Sequence, residues 1–109
     1  DIIITGGENV LSLEVEEVLY QHSAILEAAV VACPDVHWGE TPVAFVLLKS
    51  TGEMPSADNL KSFCKERMAN FKVPTRFIFG PLPKTSTGKI QKNVLRERLL
   101  ETWNKEGPS

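Results

Sequence analysis

Residues 25–49 read ILEAAVVACPDVHWGETPVAFVLLK. Two apolar runs stand out, ILEAAVVAC (25–33) and PVAFVLLK (42–49), both rich in valine and alanine and both too short for ordinary helices. Apolar runs of this length bounded by turn residues read as buried strands. The first is expected to end at Pro34, and PDVHWGET between them reads as a loop. A protein with two such strands needs helices to cover them.

The flanking sequence supplies those helices. DIIIT (1–5) is a β-branched strand, Gly6-Gly7 a turn, and ENVL (8–11) a returning strand, which together predict a small hairpin. SLEVEEVLYQH (12–22) has Val15, Val18, Leu19 and His22 at helical spacing. Its carboxylates Glu14, Glu16 and Glu17 fall early in the helix, where the macrodipole favours them. SADNLKSFCKERM (56–68) reads as a helix capped by Ser56, with Leu60, Phe63, Cys64 and Met68 on one face. TRFIFG (75–80), between Pro74 and Pro81, is a third strand. NVLRERLLETW (93–103) is a last helix carrying Leu95, Leu99 and Trp103. The order β-β-α-β-β-α-β-α predicts an α+β fold: a three-stranded sheet with three packed helices plus an N-terminal β-hairpin.

Composition sets limits on function. The chain has 109 residues, 42% of them apolar and 24% charged, which suits one soluble domain with a modest core. No apolar run is long enough for a membrane span. Cys33 and Cys64 form no C-x-x-C and have no histidine pair nearby, so neither a metal site nor a disulfide framework is expected, and an intracellular setting is. Cytosol, peroxisome and mitochondrion are not distinguished. His22 and His37 are isolated. No initiator methionine or signal peptide opens the chain, which reads as a piece of a longer protein: a domain over 1–104 and a disordered or non-native tail over 105–109.

Charge is distributed unevenly. Residues 1–71 hold four Lys/Arg against eleven Asp/Glu; residues 72–98 hold seven Lys/Arg against Glu97 alone. Such a concentrated positive field suits a small polyanion better than a long nucleic acid. A solvated basic face with helix-end charges accounts for it equally well.

Within the basic stretch lies PKTSTGKIQK (83–92), polar, broken and ending on a lysine after a glycine. A nucleotide P-loop would need G-x-x-x-x-G-K-[ST]. Pro83 stands at its first glycine and Ile90 at its metal-binding hydroxyl, so Lys89 is not a P-loop lysine.

Four segments, DIIITGGENVLSLEVEEVL, PDVHWGETPVAFVLL, FCKERMANFKVPTRFIF and LPKTSTGKIQKNVLRERL, occur in an order and spacing that resembles the C-terminal domain of acyl-CoA synthetases. That superfamily of adenylate-forming enzymes also includes peptide-synthetase adenylation domains and firefly luciferase. The phrasing is most similar to plant-type acyl-activating enzymes and medium-chain acyl-CoA ligases, and it covers residues 1–104. Ser12 departs from it, since the family often has proline there.

The resemblance implies a mobile lid on a large N-terminal domain that binds ATP, Mg²⁺ and the carboxylic or fatty acid. Carboxylate and ATP give acyl-adenylate; a thiol, here CoA, then displaces AMP. The hinge would lie just before Asp1. By position, Lys89 is the adenylation lysine. Gly6, Gly7 and Glu8 match the hairpin that turns in for thioester formation. Trp38 and Phe71 match positions that in some members pack on the nucleotide end of CoA, with Lys72 beside them where a phosphate could sit. Trp38 closing its own loop on the sheet is the plainer alternative. Two other functions compete: an adenylating enzyme that loads a carrier protein, and a stand-alone anion-binding module. A nucleic-acid partner ranks last, because no nucleic-acid motif accompanies the basic stretch. The acyl substrate cannot be read here, since its pocket belongs to the N-terminal domain.

Overall fold

The computed structural model describes residues 2–106, with side chains as far as Thr102. Strands β1 (Ile2–Thr5) and β2 (Glu8–Leu11) lead into helix α1 (Ser12–Tyr20). Strands β3 (Ile25–Asp35) and β4 (Gly39–Leu48) follow, then α2 (Ala57–Lys65), a 3₁₀ turn (Asn70–Lys72), β5 (Arg76–Phe79) and α3 (Lys92–Glu106).

The α+β class, the three helices and the hairpin are as expected. The sheet has five strands rather than three, because the hairpin joins it: the order is β2-β1-β4-β3, and β5 pairs with β4 on the β1 side. One strand pairing and two hydrogen bonds make the junction. Thr5 pairs with Gly39, the Gly6 N–H donates to the Trp38 carbonyl at 2.8 Å, and the Ile4 N–H donates to Glu40 Oε1 at 2.9 Å. β5 runs parallel to β4, with α2 on the crossover between them; parallel neighbours require such a connection.

The apolar runs of β3 and β4 do not alternate because both faces of this sheet are covered. Ala28, Val30, Ala44 and Val46 face Val15 and Leu19 of α1 and Leu60 and Cys64 of α2. Ala29, Val31, Val43 and Phe45 face Leu95 and Leu99 of α3. Trp103 lies on α3, and its side chain is outside the described residues; of the tail expected over 105–109, residues 105 and 106 belong to α3, and 107–109 are outside the described residues. β3 also continues through Pro34, leaving only 36–38 as the turn. An edge strand tolerates the missing donor.

The free edge of β3 is closed by α1. Tyr20 Oη accepts from the Ala28 N–H at 3.0 Å and donates to the Ala28 carbonyl at 3.2 Å, and Glu16 Oε2 accepts from the Val30 N–H at 2.8 Å. Residues four apart lie on one helix face, so Glu16 and Tyr20 together blunt an edge that would otherwise recruit another strand. α2 begins with the Ser56 cap that its sequence announces, reciprocated by Asn59.

Cys64 is fully buried, and burial pushes its thiol up to about 11 from an ordinary 9.0. Burial raises Cys33 as well, against the opposing charge of Arg76. Two outcomes are expected. At pH 8 a thiol reagent should label neither cysteine until the protein unfolds, whereas rapid native labelling would mean the core opens there. Between about pH 9 and 11 the unfolded Cys64 ionises while the folded one stays protonated, so stability should fall as pH rises through that window.

Candidate functional site

A cleft of about 390 Å³ opens where the hairpin meets β4. Its lining brings together Gly6, Glu8, Trp38 and Phe71 with Thr5, Thr41, Asn70 and Thr75. Asp35 holds the turn that carries Trp38: its Oδ1 accepts from the His37 and Trp38 N–H groups at 2.9 and 2.8 Å, closing the β3–β4 turn. Trp38 is thereby laid over the hairpin tip, half exposed at 52%, with the His37 ring edge-on to it at 4.5 Å.

The two tip glycines differ. Gly6 has φ +56, and a Cβ there would stand 2.9 Å from the Trp38 ring, so both backbone and packing exclude a side chain. Gly7 has φ +83, but a Cβ would meet nothing within 4 Å. Within this chain glycine is required there by the backbone conformation and not by packing. Phe71 contributes the opposite wall from the 3₁₀ turn. Lys72, next to it, lines a separate dent beside α1, and its ammonium is 3.1 Å from Glu14 Oε2. The cleft is therefore aromatic and hydroxyl-lined, and Glu8 is the one charged side chain in its lining.

Lys89 stands elsewhere, on a stalk. The Gln91 N–H donates to the Pro83 carbonyl at 2.9 Å, Lys84 pairs with Ile90, and the Thr85 N–H donates to the Lys89 carbonyl at 2.8 Å. Gly88, at φ +88, makes the tight turn. Thr85 Oγ1 accepts from the Lys89 N–H at 3.1 Å and bonds Thr87 Oγ1 at 2.9 Å, which locks the tip. Leu82 and Ile90 are anchored in the α3-side core. With Ile90 turned inward, Lys89 is exposed, and its ammonium has no ion-pair partner among the described residues.

The remaining lysines of the basic stretch do have partners. Lys84 pairs with Glu27. Lys92 pairs with Glu16 at 2.6 Å and donates to Ser12 Oγ at 3.3 Å. Much of the sequence's charge asymmetry is thus used to join the 72–98 segment to the acidic body. The cleft lies at the Asp35 end of β3, while the stalk is pinned at Glu27. Eight residues of strand separate those points, about 26 Å.

Sequence reasoning missed Thr5, Thr41, Asn70 and Thr75. The available signal was buried threonine at strand ends, where Thr5 and Thr41 are covered although polar. It also passed over Glu16 and Ser12, whose contacts lie 80 or so residues away in sequence.

The family described as "AMP-binding enzyme C-terminal domain" matches residues 14–89, and the chain belongs to that family. It is 55% identical to acetate–CoA ligase CCL3 of Humulus lupulus, covering 93% of this chain and 18% of that protein. It is 52% identical to the peroxisomal acetate/butyrate–CoA ligase AAE7 of Arabidopsis thaliana, with the same coverage. Among solved structures, a Mycobacterium tuberculosis fatty acyl CoA synthetase superposes with TM-score 0.86 at 39% identity, over 94% of this chain and 20% of that one. The chain thus spans about a fifth of the length of these relatives. No described helix is long and apolar enough to cross a membrane.

Proposed function

We propose that this chain is the C-terminal lid of an ATP-dependent carboxylic acid–CoA ligase, working with an N-terminal domain that holds ATP, Mg²⁺ and the acid. The observation that carries the reading is the separation of the two candidate sites on one rigid body. The stalk is pinned at Glu27 and the hairpin cleft opens at the Asp35 end of β3, points about 26 Å apart along the strand, so the two sites lie on different parts of the domain and each is read as serving a different half-reaction.

In the first half, carboxylate approaches an α-phosphate, and negative charge spreads over the phosphoryl oxygens. The Lys89 ammonium, free of any described partner and carried on a long stem, offsets that charge as it develops. In the second half, the hairpin cleft takes the thiol substrate. A pantetheine arm is uncharged and amide-rich; Glu8 and the threonines can accept from its N–H groups, Gly6 gives room to the Trp38 ring, and the open face at Gly7 allows close approach. Trp38 and Phe71 offer faces for stacking. Replacing either by alanine should chiefly raise KM for CoA, and an unchanged KM with lowered stability would make them packing residues only. Lys72 would meet a phosphate only by leaving Glu14.

That pairing favours a second reading, an acceptor without a 3′-phosphate, such as the phosphopantetheine arm of a carrier protein. The CoA ligases among the relatives favour free CoA. Titrating the full-length protein with CoA and with 3′-dephospho-CoA tests this: a large preference for CoA requires a phosphate site, and none points to the carrier. Names of relatives such as AAE7 include the peroxisome, which fits an intracellular enzyme. The chain by itself is expected to fold yet to form no acyl-CoA from acid, ATP and CoA. Turnover by the purified 109-residue chain would overturn the lid assignment.

A further inference from the structure

Lys92 opens α3, and the first turn of that helix holds no acidic side chain. A cation there opposes the helix dipole, so its place needs another cause. Glu16 provides it: the same Oε2 that accepts the Val30 N–H at 2.8 Å meets Lys92 Nζ at 2.6 Å. One carboxylate therefore ties α1, β3 and α3 together. Glu16 and Lys92 are only 13% and 27% exposed. Solvent-exposed pairs contribute little, but a shielded pair that loses one member leaves the other charge uncompensated. Ser12 Oγ is a second acceptor for Lys92, a hydroxyl that a proline at this position would not supply.

The other flank of the stalk repeats the arrangement. Lys84 meets Glu27, whose Oε1 is buried with no hydrogen-bond partner. Between these anchors the stalk is closed by its own backbone bonds, so the direction of Lys89 is set by how its base is held.

We propose that Glu16 and Lys92, assisted by Ser12, are positioning residues for Lys89. They touch no substrate and act by fixing the foot of the stalk against the helix that follows the glycine hairpin, so both sites turn as one body. This rests on the reading of Lys89 as the adenylation lysine.

The test is a cycle in the full-length ligase. Glu16→Gln keeps an oxygen for the Val30 N–H and removes the charge that Lys92 meets. Single-turnover adenylation should fall by about tenfold or more, since a misplacement of about 1 Å can cost on the order of 10²-fold. Transfer from supplied acyl-adenylate should change by less than about twofold. Lys92→Met should match it, and Lys92→Arg should restore the rate. In a Lys89→Ala background, Glu16→Gln should add nothing to the adenylation defect, because there is no lysine left to position. Additive losses, equal losses in both half-reactions, or an unaffected Glu16→Gln alongside a selective Lys89→Ala would overturn the positioning role. A Lys89→Ala variant that adenylates normally would overturn the parent reading, and this proposal with it.

Discussion

In the full-length ligase, Lys89→Ala is expected to slow acyl-adenylate formation by roughly 10² to 10³, equivalent to about 3 to 4 kcal/mol of transition-state stabilisation. Transfer of a supplied acyl group to CoA should be nearly untouched. The selectivity follows from the stalk. Lys89 is exposed, and its side chain contributes nothing to the core, which Leu82 and Ile90 enter instead. The backbone bonds of Thr85 and Gly88 do not involve its side chain. Removing the ammonium therefore deletes a charge without loosening the fold, and thermal stability should stay within a few tenths of a kcal/mol, as for surface changes generally. Equal loss in both half-reactions, measured in single turnovers, would mark a positioning or folding defect instead.

Gly7→Leu is the converse. The position is open, with no neighbour within 4 Å of a Cβ, so the branched side chain would project from the hairpin tip beside the mouth of the cleft. Adenylation should proceed at a near-normal rate while transfer to CoA falls severely. Positive φ at Gly7 adds a strain of roughly 1 to 2 kcal/mol for any side chain, which Gly7→Ala shares without the bulk. Gly6→Ala is a different lesion, because its Cβ would collide with the Trp38 ring at 2.9 Å. It should disturb the Trp38 wall itself and lower stability. If Gly7→Ala and Gly7→Leu impair transfer equally, the turn's conformation rather than a passage for the thiol arm is responsible.

The element order was legible because hydrophobic periodicity and caps are local signals: Ser56 announces α2, and Val15 with Leu19 announces the buried face of α1. The sheet's true extent was not. Joining the hairpin to β4 depends on Glu40 reaching the Ile4 N–H and on Trp38 meeting Gly6, contacts across more than thirty residues that no local pattern encodes. Pro34 looked like a strand end because its missing donor matters in a central strand, whereas at an edge it does not. Within the candidate site, Lys89 and the glycines could be picked out by family resemblance, but the resemblance could not separate Gly6, held against a ring, from Gly7, held by dihedral angle. Nor could it show that Lys72 rests on Glu14, or that Lys84 and Lys92 are fasteners while Lys89 has no ion-pair partner among the described residues. Charge counting registers seven basic residues alike; only the fold distributes their partners.

The claim that one rigid domain presents two faces is tested most directly by measuring both half-reactions in single turnovers for Lys89→Ala and Gly7→Leu side by side. The account predicts a crossed pattern: pyrophosphate release lost in the first and retained in the second, CoA transfer from supplied adenylate retained in the first and lost in the second. Parallel losses, with both variants slowing both steps in the same proportion, would contradict it.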